Sequence, residues 1–304
     1  MIKGRGIKVG LIGLGSMGKN HARIAAGLPG LNLVGIADID PAAEAFAKEL
    51  GVPFFNDYKD LLPLTEAIIV TTPTETHLAT ATDCLNAGKH ILLEKPFTGA
   101  SARARQLAAL AKEKGLILAA GFIERFNPAF VRLLKEIKGE KIIGVDIKRL
   151  SPCPERIADT DVIFDMMIHD LDLIQLIIRD EIAELNAKGE KIRTKMFDRV
   201  IANLAFKTGP IARIEASRVF GSKTRKIAVT TEKYLVEADL LNKTIYLRDF
   251  TSPTPSTTPV KPADQLTEEQ KNFIAAIKNK EEPAVNSDQA VKILALAEEV
   301  KNAC

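Results

Sequence analysis

Three glycines at a fixed spacing, in Gly13-Leu14-Gly15-Ser16-Met17-Gly18, follow the apolar run from Ile7 and open a helix-forming stretch. That arrangement suits an anion. Gly13 permits a tight turn, Gly15 lets the backbone approach a pyrophosphate, and Gly18 lets the helix pack closely on the strand. The helix start, with Ser16 and Met17 in its first turn, offers N–H groups that have no partner within the helix. Glycines at this spacing also serve ordinary turns. Context strengthens the signal: a strand before, a helix after, and Asp38 twenty residues beyond Gly18 at the end of a second apolar run. A carboxylate there accepts both ribose hydroxyls of adenosine and repels a 2′-phosphate. Ile39 and Asp40 follow it rather than an arginine, so NAD is expected in preference to NADP.

Two further segments hold polar groups where a core should be apolar. Glu94-Lys95-Pro96 ends a buried strand, on the edge where open α/β sheets bind ligands. A lysine there can exchange a proton with a substrate hydroxyl, or can serve only as a solvated strand cap. Asp161–Ile178 reads as an apolar helix with one polar stripe. Asp165, His169 and Asp172 stand at i, i+4 and i+7, within about 60° of one another at about 100° per residue. Such a stripe needs partners. An Asp/His pair for acid–base work at a carbinol carbon, a satisfied structural network and a divalent metal site all fit it. No further His/Cys cluster supports the metal, and none is expected. His21 and His90 read as structural. His77, a helical turn after Thr72-Pro73, either lines the cofactor cleft or is a polar residue near a helix start.

These residues need elements to hold them. Ile7–Gly13, Leu31–Asp38, Ala67–Thr72, His90–Lys95 and Leu116–Gly121 are short apolar runs, the form of buried parallel strands. Ser16–Leu28, Pro41–Leu50, Thr74–Ala87 and Ala100–Lys114 alternate with them at helical spacing. The alternation predicts a doubly wound α/β domain over 1–121. Beyond it, one apolar helix precedes consecutive strand-like runs at 184–188, 200–206, 211–220, 226–231, 234–239 and 244–248. Strands without intervening helices predict an α+β domain with an open, mainly antiparallel sheet over 122–304. Thr251–Pro262, with four prolines, reads as an extended surface crossing. Two helices follow. Thr267–Asn279 is opened by a Thr267/Gln270 capping box, and Ser287–Asn302 can pack back on the first domain. The 304 residues hold 42 basic and 39 acidic side chains and no Trp. That balance argues against nucleic acid or an anionic membrane as partner. Three scattered cysteines form neither a disulfide framework nor a zinc site, which points to the cytoplasm.

Together these residues resemble the glucose–fructose oxidoreductase / inositol dehydrogenase (Gfo/Idh/MocA) family. The resemblance spans essentially the whole chain: Gly13–Gly18, Asp38, Thr72-Pro73 with His77, Ala87–Pro96, Asp165-x-x-x-His169-x-x-Asp172, and Asn272–Leu294. It implies a Rossmann domain, hydride transfer between a sugar-like alcohol and nicotinamide, and a homodimer or homotetramer formed through the second sheet. By position, Lys95 and His169 become the proton-handling pair and Asp165 the group that orients substrate or histidine. Gly13, Gly15, Ser16, Met17, Gly18, Asp38, Thr72, Pro73, His77 and Glu94 become the cofactor set. The pattern departs at Asp159-Thr160-Asp161, which replaces a glycine-rich lead-in, and at Met167, where glycine is common. Gly121–Ala129 looks like the stretch in members that oxidise the 3-hydroxyl of UDP-N-acetylglucosamine or its uronate. Arg125 and Asn127 then sit where substrate would meet the domain boundary. Arg156, in the loop before the 161–178 helix, is a second candidate anion contact, and Asp172 is a further substrate candidate. Arginine suits bidentate grip of a diphosphate or carboxylate, and ordinary surface arginines are the alternative. A free polyol, inositol or simple sugar dehydrogenase, and a catalytically silent NAD-binding regulator, remain alternatives.

Overall fold

A computed structural model describes residues 6–153 and 160–304. Arg156 falls between these stretches and lies outside the described residues. The chain divides into two compact units, one of residues 1–123 with 266–294, the other of 124–265 with 295–304. The first division falls two residues past the expected one. The helix from 266 onward, expected in the second domain, joins the first unit.

The first unit runs β1 (Ile7–Ile12), α1 (Ser16–Gly27), β2 (Leu31–Ala37), α2 (Glu44–Glu49), β3 (Phe54–Phe55), α3 (Tyr58–Leu61), β4 (Ala67–Val70), α4 (Thr74–Asn86), β5 (His90–Glu94), α5 (Ser101–Glu113) and β6 (Leu118–Gly121). All strands pair in parallel, in the order β3-β2-β1-β4-β5-β6. β1, β4 and β5 are buried almost throughout, because helices cover both faces of a parallel sheet. The order reverses between β1 and β4. The carboxyl ends of those strands therefore flank the crevice where doubly wound sheets take ligands. The runs at 7–13, 31–38, 67–72 and 90–95 appear as strands one or two residues shorter, their last residues being the turn into the next helix.

The second unit opens with α6 (Pro128–Glu136) and β7 (Ile142–Leu150). A π-helical turn (Ile163–Met167) leads into α7 (Ile168–Ile178). Seven strands follow: β8 (Ile182–Glu190), β9 (Arg199–Phe206), β10 (Ile211–Ser217), β11 (Thr224–Thr231), β12 (Tyr234–Asp239), β13 (Thr244–Asp249) and β14 (Ser256–Pro259). The eight-stranded sheet has the order β14-β13-β12-β11-β7-β10-β9-β8 and is antiparallel except where β7 meets β10. α6 packs on β12 and β13, and α7 on β7. Along β9 and β11 buried residues alternate with accessible ones, so the helices cover one face of the sheet.

α6 and β7 were missed from the sequence. β7 carries a readable alternation, Val145 and Ile147 inward with Asp146 and Lys148 outward, but Gly144 and a core-facing Arg149 interrupt it. The proline-rich crossing contains β14, an exposed edge strand on β13. The chain ends in α8 (Gln265–Asn279) and α9 (Ser287–Asn302). The capping box is a correction: Thr267 lies inside α8, and Gln270 is fully buried against α1.

Candidate functional site

The first unit supplies a cleft built for a nucleotide. Gly13 adopts φ +95°, and a Cβ there would stand 2.8 Å from the Thr72 backbone nitrogen. On Gly18 a Cβ would lie 1.9 Å from the Gly13 carbonyl oxygen, so both positions require glycine for local packing. Gly15 differs, because a Cβ there meets nothing within 4 Å. Its backbone faces the open space that a pyrophosphate would fill, at the N-cap of α1. Ser16 and Met17 are exposed beside it. Thr71, which the sequence reading passed over, donates its hydroxyl to the Gly13 carbonyl at 2.6 Å and fixes the turn.

Asp38 is pinned at the end of β2. One carboxyl oxygen accepts the Leu14 N–H at 2.5 Å, and the other accepts the Asp40 N–H at 2.8 Å. Each oxygen keeps a lone pair for a ribose hydroxyl. A cleft of about 630 Å³ opens here, lined by Gly13, Gly15, Asp38, Ile39, Thr72 and Pro73 among others. Ile39 is 92% exposed, an apolar surface next to the ribose carboxylate. The residues present therefore fit the adenosine and pyrophosphate of a dinucleotide.

Two members of the expected cofactor set face elsewhere. His77 is buried, its ring nitrogens 2.8 Å from the Thr72 carbonyl oxygen and 3.0 Å from that of Pro96. It ties the loop after β4 to the loop after β5. Burial lowers its pKa below the usual imidazole value, although the carbonyls pull the other way. Glu94 is buried as well, accepting from His21 Nε2 at 2.9 Å and from the Lys95 N–H at 3.0 Å. Its carboxylate serves the interior. Lys95 precedes Pro96 through a cis peptide bond at the carboxyl end of β5.

In the second unit, Asp165 and His169 are half-buried, Asp165 on the π-helical turn and His169 at the start of α7. The sequence predicted one continuous α-helix. The π-helical turn widens the spacing before His169, a distortion that recurs at functional sites. Asp161 anchors this segment by accepting the Phe197 N–H and pairing with Lys301 at 2.6 Å.

The expected stripe does not extend to Asp172. That residue is wholly buried and meets the Arg125 guanidinium, with Nε 2.9 Å from both carboxyl oxygens. Burial pushes the Asp172 carboxyl above its ordinary range, opposed by Arg125. Asn127 is also enclosed. It caps α6 through the Ala129 N–H and donates to Glu124 and the Leu240 carbonyl. Both residues of the Gly121–Ala129 stretch expected at substrate thus spend their polar groups on the interior, because a buried fork or amide must be satisfied locally. Glu124 completes the pattern by accepting from Arg149 at 2.9 Å and from Arg225 at 3.1 Å, while Arg149 also grips Asp170. Despite burial, Arg149 holds the Glu124 carboxyl well below its usual range, and His169 adds to that pull. This network is near enough to His169 for Glu124 to feel its charge and was not anticipated. A core-facing arginine on a strand and an acid beside His169 were its only sequence signals.

Residues 7–122 match a family described as "Oxidoreductase family, NAD-binding Rossmann fold", and residues 152–236 match the GFO/IDH/MocA C-terminal domain. The chain is 34% identical over 241 residues to a UDP-N-acetylglucosamine 3-dehydrogenase of Acidithiobacillus ferrooxidans, covering 79% of this chain and 76% of that protein. A crystal structure under that enzyme name from the same organism superposes with a TM-score of 0.93 at 31% identity, over 99% of this chain and 98% of the other. A myo-inositol 2-dehydrogenase of Thermotoga maritima is 27% identical over 321 residues, covering 95% and 94%.

Proposed function

The chain belongs to the Gfo/Idh/MocA family of oxidoreductases and has its NAD-binding Rossmann domain, and from that premise we propose that it oxidises a secondary hydroxyl of a sugar nucleotide. The substrate we favour is UDP-N-acetylglucosamine or its uronate, oxidised at the 3-hydroxyl. The observation that carries this reading is the similarity to the Acidithiobacillus enzyme along most of both chains. The pinned Asp38 and the open backbone at Gly15 support the cofactor side.

In this reading Asp38 takes the adenosine ribose, and the start of α1 takes the pyrophosphate. NAD, when bound, supplies the acceptor for the hydride leaving the carbinol carbon. His169 accepts the hydroxyl proton with Lys95 assisting, and Asp165 orients the histidine or the substrate. Active copies pair as a homodimer or homotetramer through the uncovered face of the eight-stranded sheet.

A free polyol or inositol is the second reading, and one observation favours it. Arg125 and Asn127 are engaged inside the second unit and are not at hand for a diphosphate. The regulator reading is weaker, because Lys95 and His169 are both present. The test is NADH formation, followed by its absorbance, on NAD with UDP-N-acetylglucosamine, its uronate, myo-inositol or glucose. Turnover on the UDP sugars supports the first reading. Turnover on inositol alone replaces it with the second, and NAD binding without turnover on any of the four counts against both.

A further inference from the structure

Glu269, on α8 in the first unit, is 2% exposed, and neither carboxyl oxygen has a hydrogen-bond partner among the described residues. It is not isolated. Oxygens of Glu269 and Glu94 and a ring nitrogen of His21 lie within 4.8 Å of one another. Among the described residues these two, Glu94 at the end of β5 and His21 on α1, are the titratable groups of the cluster that face it. A carboxylate in a dry site with no donor must be discharged, by a cation or by a proton.

The hydrogen bonds decide between them. Gln270 directs its amide nitrogen to His21 Nδ1 at 3.1 Å and to the His21 carbonyl oxygen at 3.1 Å. An amide that meets the backbone carbonyl must present its N–H groups on that side, so Nδ1 accepts. The ring proton then sits on Nε2 and points at Glu94 Oε1, 2.9 Å away. With that lone pair absent, His21 cannot ligate a metal unless Gln270 gives up both bonds. Glu94 already accepts two hydrogen bonds, from His21 and from the Lys95 N–H, as a carboxylate does. Among the described residues of this cluster the two Glu269 oxygens and Gln270 Oε1 are left without a hydrogen-bond partner, and of these only Glu269 can carry a charge.

We propose that Glu269 is a neutral carboxylic acid at neutral pH, shares one proton with Glu94, and so acts as a positioning residue for Lys95. Burial, with the facing charge of Glu94, holds the Glu269 carboxyl well above its usual range. Glu94 Oε2 is the link, since it holds the Lys95 backbone N–H at 3.0 Å. Loss of the shared proton sets two carboxylates against each other and pushes Glu94 off the start of the Lys95 turn. The importance of that movement rests on the catalytic reading of Lys95; the shared proton does not.

Two measurements on the whole protein test this without substrate. Infrared difference spectra of wild type and Glu269→Gln at neutral pH should show a protonated-carboxyl C=O band that the variant loses. In protein labelled with ¹⁵N-lysine, the Lys95 amide, assigned by its loss in Lys95→Arg, should shift on raising the pH in wild type and stay flat in Glu269→Gln. The isosteric amide mimics the neutral acid and avoids a cavity. Absence of the band, a stoichiometric metal that the variant loses, or equal amide titration in both proteins would each overturn the proposal. With a sugar that turns over, the alkaline limb of kcat should flatten in the variant, and an unchanged limb overturns the positioning role. Failure of every sugar while the band and amide shift are present refutes the substrate reading and leaves the shared proton standing.

Discussion

Two glycines of the phosphate loop should fail for different reasons, and the difference can be measured. In Gly18→Ala the new Cβ starts 1.9 Å from the Gly13 oxygen and must reach at least 3.0 Å, an opening of about 1.1 Å between two backbone segments. Neither side of that contact is a flexible side chain. Overpacking of this kind costs about 1–3 kcal/mol. For a cooperative unit the size of the first, about 150 residues, that lowers its Tm by about 3–10 °C. Gly15→Ala meets no atom within 4 Å and keeps an ordinary φ of −62°. Its stability cost is limited to that of a poorer N-cap, about 0.5–1 kcal/mol. Its methyl group instead occupies the space a pyrophosphate needs. Loss of one charge-assisted hydrogen bond there, about 1.5–3 kcal/mol, weakens NAD about 10- to 100-fold. Thermal melting without NAD and calorimetric titration with NAD separate the two effects. Wild-type NAD affinity in Gly15→Ala would refute the placement of the pyrophosphate. An unchanged Tm in Gly18→Ala would refute the packing argument.

Lys95→Ala should lower turnover by about 10²–10⁴, the scale of losing a proton-transfer group, while NAD binding measured by titration stays close to wild type. Arg125→Met strands Asp172 as an unpaired buried charge and should cost about 3–5 kcal/mol in a denaturant melt without substrate, most of it regained in Arg125→Met/Asp172→Leu. Wild-type stability in the single variant would return Arg125 to the substrate. Against the opposing effect of burial, the N–H groups of Ile192, Arg193 and Thr194 that Asp198 accepts, and its pairing with Arg218, hold its carboxyl well below the usual range. A depressed folded-state value adds stability above the unfolded carboxylate value and loses it as the pH falls below about 4. Asp198→Asn should therefore melt lower at neutral pH and show a flatter acid limb, and an unchanged limb would sink that assignment.

Much of the first unit was legible because its signals are local. A glycine needed for a turn, an acid at a strand end and an apolar run of strand length each depend on neighbours a few residues away. Thus β1, α1, β2 and the Gly13–Gly18 loop were read nearly to the residue. The second unit was less legible. β7 hid behind Gly144 and Arg149, because an arginine in a core-facing register looks like a surface residue until its partners, Glu124 and Asp170, are known. Asn127 and Arg125 were read as substrate groups because polar side chains near a domain boundary look available. Their partners, the Leu240 carbonyl and Asp172, lie 113 and 47 residues away.

By itself the sequence determined the doubly wound domain, the glycine-rich turn into α1, the acid at the end of β2 and the identity of the polar residues on the 161–178 helix. Those follow from periodicity and from residue types whose conformational or charge properties hold in any context. Only the tertiary structure decided which polar groups face outward and which are consumed within. Asp165 and His169 stay half-buried, Asp172 vanishes into an ion pair, His77 becomes a brace, and Glu269 comes from the far end of the chain to lie against Glu94. The reason is that a buried polar group must find a partner or lose its charge, and the fold alone decides which partners come within reach.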